Sequence, residues 1–103
     1  AALLSVSALM APFYYLQHAV ESWVRSKGVS QGVSSRFVAE MFSAVAADSK
    51  GETMGFETII AKSQTAGGIN EQALRELKRA GFYSLLQERL EIIFARVTNS
   101  RNA

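Results

Sequence analysis

Apolar residues recur at three- and four-residue steps along almost the whole chain, and no stretch alternates with the two-residue period of a strand. That regularity restricts the chain to packed helices. Pro12, the only proline, is incompatible with a helix interior but suits a first turn, so one helix is expected to begin near Ala11. Phe13, Leu16, Val20, Trp23, Val24 and Lys27 then share a face up to Gly28. Ser30 is a natural N-cap for a second helix with Val33, Phe37, Met41, Ala44 and Val45 on one side. Asp48 to Glu52, around Gly51, reads as a loop. A short third helix would carry Phe56, Ile59 and Ile60 and stop near Gln64, ahead of Gly67-Gly68. A fourth, capped by Asn70, would carry Leu74 and Leu77 up to Gly81, with Glu71 and Arg75 paired on its outer side. The last would hold Phe82, Leu85, Leu86, Leu90, Ile93, Phe94 and Val97, and fray from Thr98 onward. The expected fold is all-α, with about five helices.

Composition narrows the function. A chain of 103 residues suits a single domain spanning 1–103, yet only 19% of it is charged while 49% is hydrophobic, against about 25% charged in an average soluble protein. So little charge on so small a body points to a surface buried against a partner. Without cysteine there is no disulfide, thiolate nucleophile or cysteine-ligated metal. The single histidine, His18, excludes a His-rich metal site, and a net charge of +2 is too small to imply nucleic acid. No charged residue precedes Glu21, but the start lacks the basic residues of a secretory signal. Ser5, Ser7, Pro12, Gln17 and His18 interrupt any membrane span. A buried core helix is expected there instead. The start at Ala1-Ala2 suggests processing, or excision from a longer polypeptide.

One local motif is more than core pattern. In Gln64-Thr65-Ala66-Gly67-Gly68-Ile69-Asn70, a glycine pair stands directly before a helix start. Such a turn aims backbone N–H groups at a small anion, and the helix dipole adds positive potential there. A carboxylate or phosphate would fit, with Thr65 and Asn70 adding hydrogen bonds; the alternative is a plain interhelical turn. His18 as an acid or base lacks a local carboxylate partner, so a surface or partly buried histidine is the simpler reading. Arg75, Lys78 and Arg79 are diluted by Glu71 and Glu76 and read as a solvated face. Tyr14, Tyr15 and Trp23 suit a core or an interface. Glu88 and Glu91 lack the second acidic pair of a di-metal site.

The run Gln64 to Leu74, followed by Leu77-Lys78 and Ala80-Gly81-Phe82, resembles the signature of the pyrroline-5-carboxylate reductase family. That signature reads Thr-Ser-Pro-Gly-Gly-x-Thr, a small residue and a leucine, then a helix closing on Gly-Phe. Ser7 to Val24 is similar to the family's Ser-Gly-Ser-Gly-Pro-Ala-Tyr and long helix, and Lys27-Gly28-Val29 to its Leu-Gly-Leu-Pro turn. Tyr83 to Arg96 fits its terminal helix. The resemblance covers nearly the whole chain, in order.

It implies the C-terminal helical domain of that family, of the 6-phosphogluconate-dehydrogenase-C-terminal type, intertwined with a second copy as a homodimer or higher homo-oligomer. It further implies a cytoplasmic oxidoreductase of proline biosynthesis, in which NADP or NAD sits in an N-terminal Rossmann domain and a cyclic imine is reduced to L-proline. The small carboxylate substrate would be held at Thr65, Gly67, Gly68, Ile69 and Asn70, where Thr65 matches the family serine and Asn70 its threonine. No catalytic residue, metal, nucleic acid or membrane is assigned. This chain lacks a Gly-x-Gly-x-x-Gly following a strand, so it is expected to bind no dinucleotide and to be inactive alone. Gln64, Ala66 and Asn70 depart from the family's threonine, proline and threonine; Ser7-Ala8-Leu9-Met10 replaces Ser-Gly-Ser-Gly, and Pro12 is displaced by one position. An amide at Asn70 donates a hydrogen bond but no hydroxyl proton. The alternatives are a stand-alone helical protein-interaction module, or the helical domain of another two-domain dehydrogenase of small hydroxy or imino acids.

Overall fold

The computed structural model describes residues 1–51, 53 and 55–102, the last two as backbone only. Among them every regular element is helical: α1 (Ala2–Val6), a 3-10 turn (Ser7–Leu9), α2 (Met10–Ser26), α3 (Gln31–Gly51), α4 (Phe56–Lys62), α5 (Ile69–Arg79) and α6 (Phe82–Asn102). The all-helical expectation holds: the five expected helices correspond to α2 through α6, preceded by the short α1. The chain divides into two compact units, Leu9–Ile59 and Ala1–Ala8 with Ile60–Ala103.

In the first unit α2 and α3 form an antiparallel pair. Pro12 occupies the third position of α2, where its missing N–H would have had no helical partner. Gly28 takes the left-handed φ of +97° that closes α2, and its N–H bonds the Arg25 carbonyl at 3.0 Å. Ser30 caps α3 as expected, its Oγ accepting from the Val33 N–H at 3.4 Å. Phe13 meets Phe42 edge-on, centroids 5.8 Å apart, and the Ser35 hydroxyl donates to Glu21 Oε1 at 2.8 Å.

The inward side of α3 is not the one its apolar pattern advertises. Ser34 is fully buried and Val38 is 4% exposed; with half-buried Phe42 they make an i, i+4, i+8 line, the spacing of one helix face. Val33, Phe37, Met41 and Val45 are exposed, Phe37 at 67%. They lie one residue, about 100° of helix rotation, from the buried line.

The expected loop at Asp48 to Glu52 is a correction. α3 runs on through Gly51, with Ser49 Oγ bonding back to the Val45 carbonyl at 3.0 Å; Glu52 lies outside the described residues. Backbone bonding within the helix outweighs the low propensity of Gly51 there.

In the second unit α6 contacts both α1 and α5. Leu90, Ile93, Val97 and Thr98 are its least exposed positions, a three- and four-residue spacing that marks the packed side. α6 continues to Asn102 instead of fraying at Thr98, because Val97 and Thr98 are still half-covered. α5 begins at Ile69 with Gly68 as its N-cap, which places Asn70 inside the first turn and corrects its expected capping role.

The uncharged start is helical but interrupted at Ser7–Leu9, and within one chain it is not buried. Ser5 is covered, while Leu3 is 89% exposed. No helix among the described residues is long and apolar enough to cross a membrane.

Candidate functional site: the glycine turn before α5

α4 ends at Lys62, and the chain reverses through Thr65-Ala66-Gly67-Gly68. The Gly68 N–H donates to the Thr65 carbonyl at 2.8 Å. Gly67 sits at the third position of this turn with φ +76°, the left-handed geometry of a type II turn that glycine adopts without strain. Gly68 serves a different purpose: a Cβ there would lie 3.0 Å from the Thr65 carbonyl oxygen, tight enough that the turn would have to give. Each glycine has its own task, one for torsion and one for space.

This turn opens directly into α5. The amides of Ile69, Asn70 and Glu71 precede the first helical bond, which runs from the Gln72 N–H to the Gly68 carbonyl at 3.1 Å. They have no hydrogen-bond partner among the described residues, and no side chain caps the helix. Three free donors stand at the positive end of an 11-residue helix, where the helix dipole favours negative charge. Thr65, Gly67, Ile69 and Asn70 are exposed, and Gly68 is half-buried. The structure therefore brings the five residues singled out in the sequence into one solvent-accessible turn. Beside it, Gln64, Glu71, Leu74, Arg75, Lys78 and Arg79 line a groove, with Arg75, Lys78 and Arg79 as its cations.

Glu71 adds what sequence reasoning missed. The expected pair with Arg75 exists, at 3.5 Å. The same oxygen, Oε1, also accepts the Gly67 N–H at 3.3 Å. The signal was present: glycine at the N-cap with glutamate three residues later is a capping-box spacing, in which the third helical residue reaches back over the start.

The other candidates do not converge on this turn. His18 is exposed and edge-on to Tyr15, centroids 5.7 Å apart. Tyr14, Tyr15 and Trp23 are well exposed, so the core reading falls and the interface reading remains; Lys27 Nζ stands 5.6 Å above the Trp23 ring. No group of three or more His, Asp or Glu among the described residues could hold a metal ion. A dinucleotide does not fit these residues either: the glycine pair joins two helices, and no strand is present among the described residues to form a βαβ unit.

A family model described as pyrroline-5-carboxylate reductase dimerisation matches residues 1–99. No curated protein and no solved structure gave a match to the chain.

Proposed function

The chain belongs to the pyrroline-5-carboxylate reductase dimerisation family, and from that membership we propose that it is the dimerisation and substrate-carboxylate-holding domain of a reductase of that kind. The parent enzyme reduces a cyclic imine to L-proline in the cytoplasm, with NADP or NAD as the redox cofactor in a Rossmann domain outside these 103 residues. This chain's own part is binding and orientation. The free amides of Ile69, Asn70 and Glu71 hold the substrate carboxylate, Gly67 and Gly68 shape the backbone around it, and Thr65 and Asn70 offer further hydrogen bonds. Fixing the carboxylate fixes the ring attached to it, which converts a chance encounter into a defined approach.

The observation that carries the site is the trio of unpartnered amides at an exposed, positively polarised helix start. The partner reading is supported by surface area. Two separate compact bodies of half this mass would together expose about 6,900 Å², whereas the chain exposes 8371 Å². Surface left uncovered in one chain is surface that a partner can bury.

The decisive test is an assay of the whole protein containing this chain on pyrroline-5-carboxylate, with NADPH and with NADH. Turnover that falls at least tenfold in Gly68→Val, where the new side chain meets the Thr65 carbonyl, supports the reading. Absence of turnover with either nucleotide would overturn the assigned substrate. A second reading within the same class has its own observation: Asn70 presents an amide where the family resemblance places a threonine hydroxyl. That favours another small imino or hydroxy acid, which the same assay distinguishes when run on a substrate panel.

A further inference from the structure

We propose that the basic stripe of α5 docks on the acidic stripe of α6 of a second copy of this chain, so that opposite charges decide which chains pair and in what register. This rests on the partner reading above and names the polar part of that contact. Both stripes belong to one compact unit, in which α5 packs on α6. On α5, Arg75, Lys78 and Arg79 line an open groove together with Leu74. On α6, Glu88 and Glu91 line another, together with Leu90. All five charged residues are exposed.

The chain leaves most of these charges unanswered. Arg75 has Glu71 at 3.5 Å, but Lys78, Arg79, Glu88 and Glu91 make no ion pair among the described residues. The sequence explains why. No Lys or Arg stands three or four residues from Glu88 or Glu91, and no Asp or Glu stands so placed for Lys78. Like charges hold those positions instead: Arg75 three residues before Lys78, and Glu88 and Glu91 three apart. Like charges at helix-neighbour spacing oppose each other, so the arrangement is unfavourable in a lone chain and is relieved by a partner. A purely acidic partner would answer α5 and leave α6 opposed. A second copy answers both, and the family matched over residues 1–99 is one of dimerisation. Three residues, about 4.5 Å of helix axis, separate Arg75 from Lys78 and Glu88 from Glu91, so one alignment brings two contacts together. In a twofold pair the contact occurs twice, each copy giving cations at one end and anions at the other. Such exposed pairs add little affinity. Their effect is on the choice of partner and register, because a wrong pairing sets like charges against each other.

The test mixes two charge-reversed forms of the 103-residue chain, one of them isotope-labelled. One form carries Lys78→Glu and Arg79→Glu, the other Glu88→Lys and Glu91→Lys. Each alone sets like charges across the contact, while the mixed pair restores attraction at both ends. After the two are unfolded together and refolded in low salt, native mass spectrometry should find about nine-tenths mixed dimers, against roughly half by chance. Refolding in 1 M salt should bring the fraction back toward chance, with far-UV circular dichroism unchanged throughout. Milder variants give an independent reading. Lys78→Gln with Arg79→Gln, or Glu88→Gln with Glu91→Gln, should each weaken association about three- to tenfold by sedimentation, and all four together no more than either pair. Mixed dimers at the chance level in low salt, or losses that add in full, refute the pairing and leave the partner reading standing. If no form associates, wild type included, the partner reading is refuted and this inference with it.

Discussion

α3 and α5 use amphipathicity in opposite ways. α5 leaves its charged residues Arg75, Glu76, Lys78 and Arg79 exposed and half-buries Glu71 and Leu74. It packs on α6. α3 has two apolar faces. The line through Ser34, Val38 and Phe42 lies against α2, while the richer line through Val33, Phe37, Met41 and Val45 faces solvent. A helix that spends its smaller, more polar residues on its intrachain contact and leaves its larger ones uncovered keeps a second apolar surface that one chain does not fill.

The largest expected effect probes the outer line of α3. Sedimentation of the wild-type chain should give at least twice 11.2 kDa at micromolar concentration. Phe37→Asp, which would bury a carboxylate in the joint, should weaken association by about a hundredfold or more. A variant that stays fully assembled would show that the outer line faces no partner and would erase the contrast with α5. The inner line should respond differently. Val38→Ala should cost about 1–3 kcal/mol in denaturant unfolding by removing packing between α2 and α3, yet leave the assembled mass unchanged.

The turn before α5 should show smaller, local effects. Gly67→Ala should cost about 1–2 kcal/mol, because a Cβ is forced into the left-handed φ; a change within 0.3 kcal/mol by thermal unfolding would mean that the turn relaxes around it. The smallest effect belongs to the solvated face. Arg75→Ala should lower stability by about 0.2–0.5 kcal/mol, as for exposed i, i+4 pairs, and that loss should shrink in 1 M salt.

The sequence made the helices legible because each carries a three- and four-residue apolar repeat bounded by a recognisable stop: Pro12, Gly28, Ser30, the Gly67-Gly68 pair and Gly81. It misplaced boundaries where continuing the helix wins over local punctuation. Gly51 ends α3 without breaking it earlier, and Thr98 sits inside α6 because it and Val97 are still half-covered. It grouped Val33, Phe37, Met41 and Val45 on one side of α3 but carried no sign that the line through Ser34, Val38 and Phe42 is the covered one. Periodicity measures how apolar a face is, and in α3 the most apolar face is the one left exposed within the chain. The site residues were visible as a motif, since glycine pairs before helices carry a geometric meaning. The reach of Glu71 back to Gly67 left only a spacing behind, a glutamate three residues after the N-cap glycine, and that spacing does not say which donor the carboxylate meets.

The outward line of α3 has a consequence for how the protein holds together in a cell. With that line as the joint between copies, folding and assembly would share one equilibrium, and the melting temperature should climb with protein concentration. A chain made in small amounts, or diluted after synthesis, would then be less stable than the same chain made in abundance. For a molecule of this design, expression level acts as a thermodynamic variable in its own right.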